Sequence, residues 1–139
     1  MHLFFPELGV LNMAENATPL LHNFCPLRGS EVRDPRMWSY YLADAVRRFG
    51  DRTEVLICQH HWPTWGRQAV VEFLERQRDL YKHIHDQTVR LMNQGWRPAE
   101  IAEVLENVVQ TQIDVRVDEL SRQVRIMVPF NFGFRDPSR

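Results

Sequence analysis

Between Arg67 and Met92 one row of residues steps along the chain in alternating fours and threes: Val70, Leu74, Gln77, Tyr81, Ile84, Thr88 and Leu91. An α-helix turns once per 3.6 residues, so a row of this kind lies along one face only if about seven turns run unbroken. The spacing predicts one long packed helix over about 67–92, ended by Gly95, with Pro98 opening a shorter helix, "PAEIAEVLE". Together they read as a helical hairpin. In a chain of 139 residues this leaves room for one modest core beside it.

Ahead of the long helix the pattern changes. Residues 2–5 and 9–14 read as strands rich in Leu, Phe and Val around a Pro6–Gly9 turn. A two-stranded hairpin is marginal by itself, so the chain is expected to begin in the middle of a sheet. An irregular stretch holding Pro19, Pro26 and Gly29 follows. "DPRMWSYYLADAVRRFG" then reads as a helix with Asp34 as N-cap, Pro35 in the first turn and Gly50 as the terminating glycine. Its expected apolar face is Met37, Tyr41, Leu42, Ala45 and Phe49. A strand over 53–58, "TEVLIC", completes a strand–strand–loop–helix–strand order, which is an α/β layered class. The tail, 107–139, mixes strand-like alternation with helical and turn-rich pieces and fits no element clearly.

Composition narrows the function. Net charge is −1 with no basic run, which argues against nucleic acid and against a polybasic membrane surface. No stretch reaches the roughly 18 apolar residues of a membrane span. The N-terminus lacks the basic and apolar regions of a signal peptide, so the chain as it stands is expected in the cytoplasm. The two cysteines, Cys25 and Cys58, form no CxxC and read as buried free thiols.

Three short stretches could carry chemistry. "LICQHHWPTWG", residues 56–66, ends an apolar strand in His60 and His61. Ligands in α/β proteins gather outside the carboxyl ends of strands, so a metal ligand fits there, as do two ordinary loop histidines. "MAEN" places Glu15 at the end of the second strand in the same way. A carboxylate and an imidazole at neighbouring strand ends could share a zinc ion, while a solvated strand-edge glutamate is the plainer alternative. "NFCPLRGSEVR" sets Arg28 and Arg33 in a Gly/Pro loop. Their guanidinium forks suit a tetrahedral oxyanion, or they pair with Glu31 or Asp34. "KHIHD", residues 82–86, imitates a metal motif, but helix positions two apart point away from each other, so His83 and His85 are expected to be solvated or interface residues.

In order and spacing, "MAENATPLLHNFCPLRGSEVRD", "QHHWPTWG" and "FLERQRDLYKHIHDQTVRLMNQGWRPAEIAE" resemble the alkyl sulfatases of the metallo-β-lactamase superfamily, from about residue 2 to residue 105. The resemblance implies the end portion of a metallo-β-lactamase-like αβ/βα domain over 1–65, the start of a helical dimerisation domain over 66–106 and an unplaced tail over 107–139. It implies hydrolysis of alkyl sulfate esters at a pair of zinc ions, with Glu15 and His60 as zinc ligands. Asn23, Phe24, Cys25, Pro26, Leu27, Arg28 and Arg33 match the sulfate-binding stretch. Implied partners are an alkyl sulfate or sulfate anion and a second copy of the chain, through residues 67–105.

The main zinc motif of that family, H-x-H-x-D-H, does not occur in this sequence, and resemblance stops near Glu106. The chain is therefore expected to be a truncated internal piece, inactive alone. The alternative is a non-catalytic helical interaction module.

Overall fold

The computed structural model describes residues 2–19, 21, 22, 24, 31 and 33–110, with residues 106–110 followed as helix without their side chains. The strands are β1 (Leu3–Phe5), β2 (Val10–Ala14), β3 (Val55–Cys58) and β4 (Thr64–Trp65); the helices are α1 (Pro35–Phe49), α2 (Arg67–Asn93) and α3 (Pro98–Gln110). The chain divides into two compact units, Met1–His22 with Arg36–Lys82, and Asn23–Pro35 with His83–Arg139.

In the first unit the strands form one mixed sheet in the order β1-β2-β3-β4. β1 and β2 pair antiparallel, as a tight hairpin must. β2 and β3 pair parallel, and parallel neighbours need a long crossover, which contains α1. β4 adds antiparallel to β3, pairing Val55 with Trp65 and Leu56 with Thr64. That strand was not expected: "WPTW" reads as a turn, and two residues carry too little period to show a strand.

Alternation divides the sheet into two faces. Leu11, Met13, Leu56 and Cys58 are buried on one. On the other, Leu3, Phe5, Ile57 and Trp65 stay exposed, Trp65 by 69%. α1 lies on the buried face, where the Phe4 and Phe49 rings meet at 5.1 Å.

The face that α1 buries contains Leu42 and Ala45, as expected, but differs from the expected one in its first turns. Trp38, Leu42 and Ala45 are buried, whereas Met37 and Tyr41 are exposed. Steps of four and three from Trp38 give Leu42, Ala45 and Phe49, while Met37 and Tyr41 form the adjacent row one residue round the helix. Gly50 ends α1, but not through a left-handed backbone. Its N–H continues the helical pattern to Val46 O at 2.8 Å, and a Cβ there would lie 2.6 Å from that carbonyl and 3.3 Å from Val71 Cγ2. Close approach, rather than φ, requires the glycine.

α2 follows the expected row throughout: Val70, Leu74, Gln77, Tyr81, Ile84, Thr88 and Leu91 are all buried. Thr88 is accommodated because its hydroxyl donates to Ile84 O at 2.6 Å. At the end of α2, Gly95 has φ +84°, its N–H donates to Met92 O, and Trp96 N–H donates to Leu91 O. This double bond pattern is a Schellman close, which needs a left-handed residue at that point. α3 then opens with the Glu100 carboxylate accepting the Arg97 N–H at 2.7 Å, half of a capping box.

Of the two alternatives expected for His83 and His85, solvated or interface, full solvation does not hold. Both are half-buried; His85 bonds Asp86 at 3.0 Å, and His83 Nε2 is buried with no hydrogen-bond partner among the described residues. Long helical side chains lie along the helix surface, so the flanks of a buried row are partly covered too. Cys58 is a buried free thiol as expected; Cys25 and residues 111–139 lie outside the described residues. Among the described residues no helix is long and apolar enough to cross a membrane.

Candidate functional site

β2 ends at Ala14 and β3 at Cys58, and because the two strands run parallel their carboxyl ends emerge together. Glu15 and His60 follow directly. Ala14 has φ +50° and His60 φ +68°, both left-handed, a region that residues other than glycine enter rarely. Around them the chain is pinned by backbone bonds: Gln59 N–H to Ala14 O and Asn16 N–H to Met13 O, each 2.9 Å. Sharp turns at both strand ends thus bring two side chains 45 residues apart into contact. His60 Nε2 lies 3.1 Å from Glu15 Oε1.

A third side chain joins them. His22 Nε2 lies 3.4 Å from Glu15 Oε2, so each imidazole takes a different carboxylate oxygen, and the two rings are 6.4 Å apart. The His22 ring meets Trp38 in a T-shaped contact at 5.8 Å. Sequence reasoning assigned His22 no role. The signal was present, a histidine seven residues beyond the glutamate, but no helix or strand period links the two. His61, the second of the two strand-end histidines, is exposed.

The hydrogen bond from His60, then that from His22, holds the Glu15 carboxyl below its usual range. The site is open: the Glu15 and His60 side chains are 42% and 58% exposed. Two ligands of a tetrahedral zinc with bonds of about 2.0–2.1 Å stand about 3.3 Å apart. The 3.1 Å between His60 Nε2 and Glu15 Oε1 is a hydrogen-bond distance close to that spacing, so both atoms lie within reach of one ion once the bond between them gives way. The pair does not complete a ligand set: among the described residues no group of three His, Cys, Asp or Glu side chains is arranged to hold a metal ion.

Of the expected anion-binding stretch, Phe24 is buried and its carbonyl accepts the Arg33 N–H at 2.8 Å. Both belong to the second unit. Asn23, Cys25, Pro26, Leu27 and Arg28 lie outside the described residues.

No protein-family model matches the chain. Individual proteins do. Over 105 residues, 76% of the chain, it is 52% identical to the alkyl/aryl-sulfatase BDS1 of Saccharomyces cerevisiae, of which it covers 16%. It is 47% identical over 103 residues to a linear primary-alkylsulfatase of Pseudomonas sp, covering 74% of the chain and 15% of that protein. An (R)-specific secondary-alkylsulfatase of Pseudomonas sp is 44% identical over 102 residues, 73% of the chain and 15% of the relative. The solved structure of the stereoselective inverting sec-alkylsulfatase Pisa1 from Pseudomonas sp. superposes with a TM-score of 0.81 at 35% identity, over 99% of this chain and 22% of that one. Over the three quarters so matched, the chain belongs to the alkyl sulfatases. It spans between 15% and 19% of the length of the curated relatives it matches.

Proposed function

We propose that this chain is a segment of a zinc-dependent alkyl sulfatase, an enzyme that hydrolyses sulfate esters of alkyl chains. In this reading residues 1–65 close a metallo-β-lactamase-like domain, 66–106 open a helical dimerisation domain and 107–139 form a tail outside both. One observation carries the proposal: Glu15 and His60 face each other at 3.1 Å beyond the ends of two parallel strands, inside the stretch that resembles the alkyl sulfatases.

Zinc, when bound, supplies a hydroxide at neutral pH and a positive centre for the departing oxygen. This chain contributes the binding and orientation. The Glu15 carboxylate and the His60 imidazole would supply two of the zinc ligands, and His22 steadies the other carboxylate oxygen. Arg28 and Arg33 supply guanidinium forks that match sulfate oxygens and offset the charge building on them. A catalytic zinc takes three protein ligands and leaves one position open, and a pair of ions needs more. Glu15 and His60 fall short of that number, so the 139-residue chain assayed by itself hydrolyses no alkyl sulfate.

The row from Val70 to Leu91, the ground for expecting two copies to associate through residues 67–105, is already buried. That burial also removes the main ground for reading the chain as a helical interaction module alone.

Calorimetric titration of the chain with zinc tests the proposal. Glu15→Ala and His60→Ala each weaken uptake about tenfold or more; unchanged uptake in both overturns the ligand assignment. In parallel, sulfate binding weakens in Arg28→Ala and Arg33→Ala. Release of sulfate from dodecyl sulfate by the chain with added zinc, abolished by a chelator, would overturn the expected inactivity.

A further inference from the structure

Glu15 stands at a position that strand geometry would send into the core. Along β2 the side chains of Leu11 and Met13 are fully buried, and simple alternation carries Glu15 onto the same face. A carboxylate delivered there would be buried without a partner. It is instead almost half exposed, between two imidazoles.

The ladder shows what redirects it. Asn12 pairs with Ile57, but the next pairing is Ala14 with Cys58, so β2 advances two residues while β3 advances one. Such a bulge re-aims the side chains that follow it. Ala14 then takes its left-handed φ of +50°, and its N–H donates to Asn12 Oδ1 at 2.9 Å. A side-chain carbonyl accepting the N–H two residues on is an Asx turn, which supplies the bond that a turning backbone lacks.

Asn12 lies on the open face of the sheet, where a polar side chain is tolerated, but solvent exposure does not select asparagine in particular. It lies within an apolar strand, paired directly with Leu3 and Ile57, and asparagine is depleted in strands. We propose that Asn12 is a positioning residue: its Oδ1 closes the turn at Ala14 and so aims the Glu15 carboxylate at His60. The consequence for metal rests on the zinc reading above; the placement of Glu15 against His60 does not.

Valine and threonine at position 12 separate the acceptor from everything else, because both are β-branched and of the same shape, and only threonine keeps an acceptor oxygen. The experiment compares the wild-type chain with Asn12→Thr, Asn12→Val and, as a second acceptor-free variant, Asn12→Ala. Four properties are read: melting temperature, amide hydrogen exchange at Ala14, the His60 ring nitrogen signals in ¹H–¹⁵N spectra, and zinc uptake by titration. Asn12→Val is expected to melt no lower than wild type. Even so, both acceptor-free variants lose protection at Ala14 and the ring signature of a His60 hydrogen-bonded to Glu15, and they bind zinc about tenfold more weakly, the scale of a lost supporting bond at a metal site. Asn12→Thr retains all three.

An acceptor-free variant that keeps the His60 signature overturns the proposal, as does a threonine variant that loses it together with valine. If the wild-type chain takes up no zinc, the metal reading falls, and the His60 spectra still decide the role of Asn12 by the same comparison.

Discussion

Trp38 and Tyr81 lie ring against ring, their centroids 4.7 Å apart and their planes 17° from parallel, and so join α1 to α2. The same indole donates from Nε1 to Asn16 O at 2.8 Å and meets the His22 ring in a T-shaped contact. One buried side chain therefore ties both helices to the turn that carries Glu15. Trp38→Phe keeps most of the ring and loses the donor, leaving the Asn16 carbonyl short of a bond at a cost of about 1–3 kcal/mol. Trp38→Ala costs about 3–5 kcal/mol. Urea unfolding measures both; a Trp38→Phe variant as stable as wild type would show that the indole bond is dispensable.

Gly50 makes a sharper test of packing. A methyl group there meets the Val46 carbonyl at 2.6 Å, a backbone atom that cannot swing aside. Gly50→Ala therefore destabilises the chain by about 1–3 kcal/mol, although alanine outranks glycine within a helix. A thermal melt reads the sign directly, and a stabilised variant would contradict the close approach.

Cys58 is buried at the end of β3, and burial pushes its thiol above the ordinary range because the thiolate would be poorly solvated. The thiolate is the reactive form, so alkylation of Cys58 in the folded chain is slow at pH 8 and becomes fast in denaturant. Peptide mapping after iodoacetamide treatment follows this cysteine separately from Cys25. Rapid labelling under native conditions would mean that the strand end opens readily.

The open sheet face governs association. Leu3, Phe5, Ile57 and Trp65 lie on one side of three strands and are all exposed, and contiguous exposed apolar surface promotes assembly. Light scattering is expected to show concentration-dependent association that falls in an Ile57→Thr/Trp65→Thr variant, and that is unchanged by substitutions at the charged outer positions Glu72 and Arg76 of α2. The opposite pattern would place the contact on the helix.

The sequence by itself determined the elements whose signal is local and periodic. The row from Val70 to Leu91 specified α2 and its buried face, because a 3.6-residue turn and seven matched positions leave little else. Short apolar runs marked β2 and β3, and Gly95 and Pro98 marked the corner between α2 and α3. The placement of Glu15 and His60 at the ends of neighbouring strands was also legible, since each terminates an apolar run. Only the tertiary structure decided the rest. It put Trp38, rather than Met37 and Tyr41, beside Leu42 and Ala45 on the inner face of α1, because two adjacent rows were both apolar and the sheet could cover one. It brought His22 to Glu15 through an irregular stretch that has no period to read. It set the bulge after Asn12 and the left-handed turns at Ala14 and His60, which depend on how β2 and β3 pair across more than 40 residues of sequence. Local patterns record which face a residue prefers; the sign of a backbone dihedral and the meeting of distant side chains follow from hydrogen bonds that exist only once the sheet has formed.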